Sequence, residues 1–306
     1  MEIAFRVGRF FPFGMALEIE PSIWYSASVL RYLMRLLPGI SVVILLAGIC
    51  GGLCVLHASP RQYGEWTAPG VNPQQSNEKA EFSWSRLRYT SRVGAFRGGF
   101  GYGWGWGGGS WSRDYPKADR QFLMAMNRLT RINGRSTEQV VDLDSDQIFN
   151  YPWVYAVQVE NWTFSEAEAK RLREYLLKGG FLMVDDFHGT EDWETFMEGM
   201  RMVFPNRPVE DLENKDEIFH TLYDLDDRFQ VPGEQYINTG RTYEKDGYVP
   251  KWRAIRDDQG RIVVAICHNM HLGDAWEWAD SPEYPERFAS MAFRIGLDYI
   301  IYAMTH

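Results

Sequence analysis

The stretch that most constrains this chain is Gly179-Gly180-Phe181-Leu182-Met183-Val184-Asp185-Asp186-Phe187-His188-Gly189. A helix-patterned run enters it through Leu176 and Leu177, and the two glycines end that run. Phe181 to Val184 is apolar at consecutive positions, the pattern of a strand buried on both faces. The chain then turns polar and releases two carboxylates and an imidazole. In an open α/β sheet, ligands collect outside the carboxyl ends of the strands. The segment therefore predicts both a buried strand and the working face of the sheet.

The flanking segments supply the rest of such a sheet. Phe82-Ser83-Trp84-Ser85-Arg86-Leu87-Arg88-Tyr89 alternates apolar and polar residues, as a half-buried strand does. Phe122, Leu123, Met126, Leu129 and Ile132 recur at helix spacing, with Asn133-Gly134 expected as the C-cap. Gln139 to Leu143 and Trp153 to Val159 read as strands. Ser165 and Glu168 form a capping box for the helix that leads to Gly179. A further helix is expected from Glu191, with Trp193, Phe196, Met197, Met200 and Val203 on one side. Ala254 to Ile266 reads as a hairpin turning at Gly260, and a last helix is expected from Glu286 to Ala303. This order predicts an α/β fold: a mainly parallel three-layer sheet with an added C-terminal hairpin and helix.

Between the first strand and the first helix lies Gly98-Gly99-Phe100-Gly101-Tyr102-Gly103-Trp104-Gly105-Trp106-Gly107-Gly108-Gly109. It has no Gly-Lys-Ser/Thr and is not a nucleotide P-loop. It reads either as a surface insertion or as an aromatic lid over a site at the end of the first strand.

The N-terminal part has a different character. Residues 36–56 carry no charge, are long enough to span a bilayer, and follow Arg31 and Arg35. The segment reads as a transmembrane helix or a signal peptide within a leader over residues 1–58. Met15 or Met34 is a plausible true start, and a core helix is the alternative reading. Cys50 and Cys54 follow Ile49 and Leu53, where a lipoprotein signal needs small residues. Residues 59–80 read as a linker, leaving 81–306 as the folded domain. The basic flank predicts membrane anchoring or secretion, with the domain outside the cytoplasm, in the periplasm. The net charge of −9 argues against nucleic acid as a partner. Cys267 is the one cysteine beyond the leader, so the folded part has neither a disulfide framework nor a Cys-based zinc site.

Several segments together resemble the DUF4159 family, a bacterial domain of unknown function. They are Trp111-Ser112-Arg113-Asp114-Tyr115-Pro116, Tyr175 through Gly189, Tyr223-Asp224-Leu225, Gln230-Val231-Pro232-Gly233, and Asn269-Met270 with Gly273-Asp274-Ala275-Trp276-Glu277-Trp278-Ala279-Asp280. The resemblance covers roughly residues 82–306. It implies a flavodoxin-like fold akin to class I glutamine amidotransferase domains, frequent attachment to membrane segments, and no established activity. It also implies an Asp where this chain has His271, which argues against a metal role for His271.

Asp185, Asp186 and His188 are the candidate catalytic residues. Adjacent carboxylates at a strand end repel one another and shift each other's pKa. The bland alternative is that Asp186 caps the next helix and His188 bonds to backbone. His268, Asn269, His271 and Asp274 follow a second apolar strand run, Ile262 to Ile266. Two imidazoles and a carboxylate suit a divalent metal, but no compact motif such as His-Glu-x-x-His is present, so no metal ligands are assigned. His268 and Asp274 are expected to join Asp185, Asp186 and His188 in one concave site. The candidate ligand-binding residues are Trp111, Asp114, His268, Asn269, Asp274 and Trp276. Trp111, Trp162, Trp193, Trp276 and Trp278 either stack on a sugar or peptide or fill the core. Cys267-His268 invites a thiol hydrolase. It lacks the Gly-x-Cys-x-Gly elbow, and its two side chains point to opposite faces of a strand, so a buried structural cysteine is expected.

These readings favour a cell-envelope module that binds a ligand or acts as a scaffold, with an amidotransferase-like fold lacking its thiol chemistry. The alternative is a hydrolase using Asp185, Asp186 and His188, with or without a metal. The expected partners are the membrane, through the N-terminal segment, and an envelope protein or small molecule. No cofactor is named by the sequence.

Overall fold

A seven-stranded sheet runs through the domain in the order β2-β1-β3-β4-β7-β6-β5. The strands are β1 (Ser85–Arg88), β2 (Gln139–Asp142), β3 (Trp153–Val157), β4 (Phe181–Asp185), β5 (Glu210–Asp211), β6 (Lys251–Arg256) and β7 (Ile262–His268). The five strands from β2 to β7 in that order pair in parallel, while β6 and β5 add an antiparallel edge. A computed structural model of the chain describes residues 79–92 and 109–306, all within one unit, Glu65–His306. The leader and most of the linker and glycine–aromatic segment lie outside the described residues. Among the described residues no helix is long and apolar enough to cross a membrane.

The helices are α1 (Lys117–Leu129), α2 (Glu166–Leu177), α3 (Gly189–Val203), α4 (Gln235–Thr239), α5 (Leu272–Glu277) and α6 (Glu286–Thr305). Side chains alternate across the sheet, so each strand feeds two cores. Trp153, Tyr155, Phe181 and Met183 pack on one face with Phe122 of α1 and Ile295 of α6. Val154, Ala156, Leu182 and Val184 pack on the other with Leu172 of α2 and Phe196 of α3. The apolar run Phe181–Val184 is needed because both faces of β4 are covered, as expected.

Ser165 caps α2 with its side chain, and the Glu168 carboxylate accepts from the Ser165 backbone N–H at 2.7 Å, completing the capping box. The expected hairpin forms around Gly260 (φ 86°). It is not simply appended: β7 pairs with β4 through Leu182↔Val264, Met183↔Ala265 and Val184↔Ile266. Its C-terminal end is thereby set beside that of β4.

Two local expectations are corrected. α1 stops at Leu129, with extended Thr130 as C-cap, rather than at Asn133-Gly134. Gly134 instead bridges Phe82, and the Asn127 side chain accepts its N–H at 3.1 Å. The alternation in β1 also does not mark an exposed face. Arg86 is fully buried, paired with Asp119 at 2.5 Å and laid 4.6 Å over the Tyr155 ring. With both faces covered, a buried counter-ion keeps that charge in place, which a sequence pattern does not reveal.

Candidate functional site

Three loops meet at the C-terminal ends of the parallel strands. The first follows β1 and carries Asp114, the second leaves β4 through Asp186 to His188, and the third leaves β7 through Asn269 to Asp274. Backbone bonds join the last two: Asp186 N–H donates to the Met270 carbonyl at 3.2 Å, and Asn269 N–H to the Phe187 carbonyl at 3.0 Å. The Asn269 side chain extends this seam, accepting from Gly189 N–H at 2.8 Å and donating to the Val249 carbonyl at 2.7 Å. Asp114 (φ 62°), Asp186 (φ 55°) and Asn269 (φ 64°) all hold left-handed backbone. Asp and Asn tolerate that region better than other side-chain-bearing residues, and such conformations gather where loops are held for function.

The junction concentrates ionisable groups. His271 sits between three carboxylates. Its Nε2 is 2.9 Å from Asp114 Oδ2, and its Nδ1 is 3.3 Å from Asp186 Oδ1 and 3.2 Å from Asp274 Oδ2. His188 Nε2 stands 3.4 Å from the same Asp186 Oδ1 and 3.6 Å from Glu244 Oε1. His188 is 4% exposed, yet neither ring nitrogen has a hydrogen-bond partner, nor does Asp186 Oδ2. Two groups thus have the composition and spacing to hold a metal ion: Asp186 with His188 and His271, and Asp114 with His271 and Asp274.

Asp185 lies one residue deeper. Its Oδ2 accepts from the Tyr155 hydroxyl and from Gly273 N–H, each at 3.0 Å, while Oδ1 has no partner. Burial pushes its carboxyl up to about 7, against the pull of His271 and with that of Asp186. Asp274 is raised by burial as well, and accepts from Glu234 N–H at 2.6 Å. Burial opposes charge on His271, but Asp186, Asp274 and Asp114 outweigh it and hold the imidazole well above its ordinary pKa. Glu160, just beyond β3, is pushed up to about 8 by burial and then by the charges of Asp186 and Asp192. Asp185 and Glu160 thus hold protons more tightly than surface carboxylates do.

Bare backbone presses on the cluster. A Cβ on Gly233 would come 2.6 Å from His271 Nδ1 and from Asp274 Oδ2, and one on Gly273 would come 2.6 Å from Asp114 Oδ2.

The candidates from the sequence divide cleanly. Asp185, Asp186, His188, Asp114 and Asp274 come together. The bland reading of the β4 segment does not describe what is seen: α3 begins after His188, whose side chain makes no cap, and the Asp192 carboxylate accepts the His188 N–H at 2.8 Å. His268 leaves on the other face. It stacks on Phe187 and Trp193 with Nε2 3.0 Å from the Gly189 carbonyl, and burial first, then Arg253 and His188, push it down to about 4. Asn269 stitches loops rather than facing the cluster. Trp276 is fully buried among Trp84, Phe122 and Tyr155, and Trp162 is equally buried against Phe164 and Phe196. Trp111 is half-buried beside Tyr115, with Arg88 over its ring. Cys267 is unpaired and wholly buried, and burial raises its thiol well above the ordinary range.

Sequence reasoning set His271 aside, did not single out Glu160 or Tyr155, and named Gly233 only within the Gln230–Gly233 segment, with no role at a site. His271 was the nearest to being found, since it lies in the polar segment directly after an apolar strand.

A family model described as "Domain of unknown function (DUF4159)" matches residues 100–304. No curated protein matches the chain.

Proposed function

The chain belongs to the DUF4159 family, whose name carries no activity, and from the chemistry of the strand-end site we propose that it is a ligand-binding domain that takes up a cationic ligand there. One observation carries this reading. Asp114, Asp185, Asp186 and Asp274 converge around His188 and His271, with Arg113 as a neighbouring charge, and Asp185 Oδ1, Asp186 Oδ2 and both His188 nitrogens are buried without hydrogen-bond partners. Burying unpaired polar atoms costs free energy, and a bound cation would offset that cost. The position outside the carboxyl ends of parallel strands supports the same reading. The buried Cys267 supports the view that thiol chemistry is not used.

The test is thermal unfolding of the purified full chain against small amines, amino acids, sugars and metal salts. At least one cationic probe should raise the Tm, and Asp186→Asn should abolish that rise. Stabilisation by neutral or anionic probes alone, or a rise that survives Asp186→Asn, would contradict the proposal.

A hydrolase reading draws on the same residues and is favoured by the buried Asp185 carboxyl, which burial pushes up to about 7. Turnover of a chromogenic ester or phosphate that disappears in Asp185→Asn would establish it. The uncharged segment 36–56 after Arg31 and Arg35 supports a location for the domain in the cell envelope. An alkaline phosphatase fused after His306 should then be active, and an inactive fusion would reject that location.

A further inference from the structure

We infer that the ligand at this site is a divalent transition-metal ion, held by Asp186, His188 and His271, with Asp114 orienting His271 from behind and Asp274 beside it. The inference rests on the cation-binding reading and narrows it to one chemical class.

Distances carry the argument. A zinc-like ion binds nitrogen and oxygen at about 2.0–2.2 Å, so two ligands at a tetrahedral angle stand about 3.4 Å apart, and at a right angle about 3.0 Å. The donor separations here are 3.4 Å for His188 Nε2 to Asp186 Oδ1 and 3.3 Å for Asp186 Oδ1 to His271 Nδ1. Both fall within that range, and ligand atoms of the three residues all lie within 4.8 Å of one another. This is the spacing of groups around a shared ion, longer than the charge-assisted hydrogen bonds such pairs form when they bond directly.

His188 supplies an independent observation. Its ring is nine-tenths buried and both nitrogens lack a hydrogen-bond partner, although Nε2 points at Asp186. A protein does not ordinarily bury an imidazole with nothing for either nitrogen to do. A metal ion would satisfy Nε2 outright.

Behind the ligands stands the support a metal site needs. Metal-bound imidazoles commonly donate their other N–H to a carboxylate, which fixes the ring and raises its basicity. His271 has this arrangement: Nδ1 faces Asp186 and Asp274 while Nε2 lies 2.9 Å from Asp114 Oδ2. Asp274 is steadied in turn by Glu234 N–H at 2.6 Å. Donors this close around so small a space suit an ion better than an organic cation. Two imidazoles with carboxylates favour zinc, iron, cobalt, nickel or manganese over magnesium or calcium, which prefer all-oxygen sets. Glu244, 3.6 Å from His188 Nε2 and half-buried, stands at the edge of the group.

The ligands come from two strand ends that pair through only β4 and β7, which explains why no compact motif announces them.

The experiment is zinc and manganese binding to the purified full chain after chelator treatment, by calorimetry and by metal content after dialysis. Wild type should retain about one ion per chain. His188→Ala and Asp186→Asn should each weaken binding by at least about tenfold, while the control His220→Ala should leave it unchanged. Circular dichroism of each variant reads folding separately. If His188→Ala fails to fold, Asp186→Asn decides, because Asn tolerates the left-handed backbone at that position. Failure of wild type to bind any metal, or equal binding by folded Asp186→Asn, would overturn the inference. An organic amine that binds and is lost in Asp186→Asn, with no metal bound, would sink the metal assignment and leave the cation-binding reading standing. No binding of either kind would remove both.

Discussion

His271 Nε2 stands 2.9 Å from Asp114 Oδ2 although 157 residues separate them in the chain. The pair joins the loop after β1 to the loop after β7 across the parallel part of the sheet. It leaves Nδ1 turned toward Asp186 and Asp274.

From this pairing, Asp114→Asn should keep the fold, since Asn accepts the left-handed backbone (φ 62°) at that position. It removes the charge that orients His271. Zinc affinity should fall about 10–100-fold, the usual cost of losing a carboxylate behind a metal-bound imidazole. Calorimetry reads the affinity, and an unchanged value would mean that Asp114 does not support His271.

Gly233 offers a steric test. It lacks the positive φ that would strain an alanine, yet an added methyl would intrude to 2.6 Å from His271 Nδ1 and Asp274 Oδ2. Gly233→Ala should therefore displace donors from the site and reduce zinc binding, with the circular dichroism spectrum retained. Wild-type binding in this variant would show that the space beside Gly233 is not part of the site.

Asp298 allows a pH prediction remote from the site. Its Oδ1 accepts from Leu222 N–H at 3.1 Å and Tyr223 N–H at 3.0 Å, while Oδ2 has no partner. Burial pushes the carboxyl up to about 6. Because the folded pKa exceeds the unfolded value of about 3.9, the stability from the protonated form is full below about pH 4 and lost as pH rises through 6. Asp298→Asn retains an acceptor without titrating. Wild type should therefore lose up to about 2–3 kcal/mol relative to this variant between pH 4 and 7. Urea unfolding at several pH values measures the difference, and a flat difference would contradict it.

Cys267 should behave as core. It packs with Tyr299 and the α6 face, fully buried. Cys267→Ala should cost about 1–2 kcal/mol of stability and leave ligand binding intact. Iodoacetamide should label the native thiol far more slowly than the unfolded one. Fast native labelling with loss of binding would instead mark it as reactive.

Much of this architecture is legible in the sequence because local chemistry dictates it. Phe181 to Val184 must be a strand covered twice, Ser165 and Glu168 must cap a helix, and Asp185, Asp186 and His188 must emerge at the strand end. What escapes is set by tertiary pairing. Arg86 looks like an outward residue until Asp119, 33 positions away, is folded against it. Gly134 looks like a helix cap until Phe82 claims it as a strand neighbour. Trp276 and His268 sit in the right segment, but helix phase and strand alternation turn one into the core and the other across the sheet. His271 becomes central through Asp114, a contact with no local signature.

The most direct measurement is an anomalous difference map from crystals of the zinc-loaded protein. It should show an ion within bonding distance, about 2.0–2.2 Å, of His188 Nε2, His271 Nδ1 and an Asp186 oxygen, with Asp114 still on His271 Nε2. Zinc bound only at exposed histidines such as His220 or His306, with His188 still unligated at saturation, would contradict the assignment.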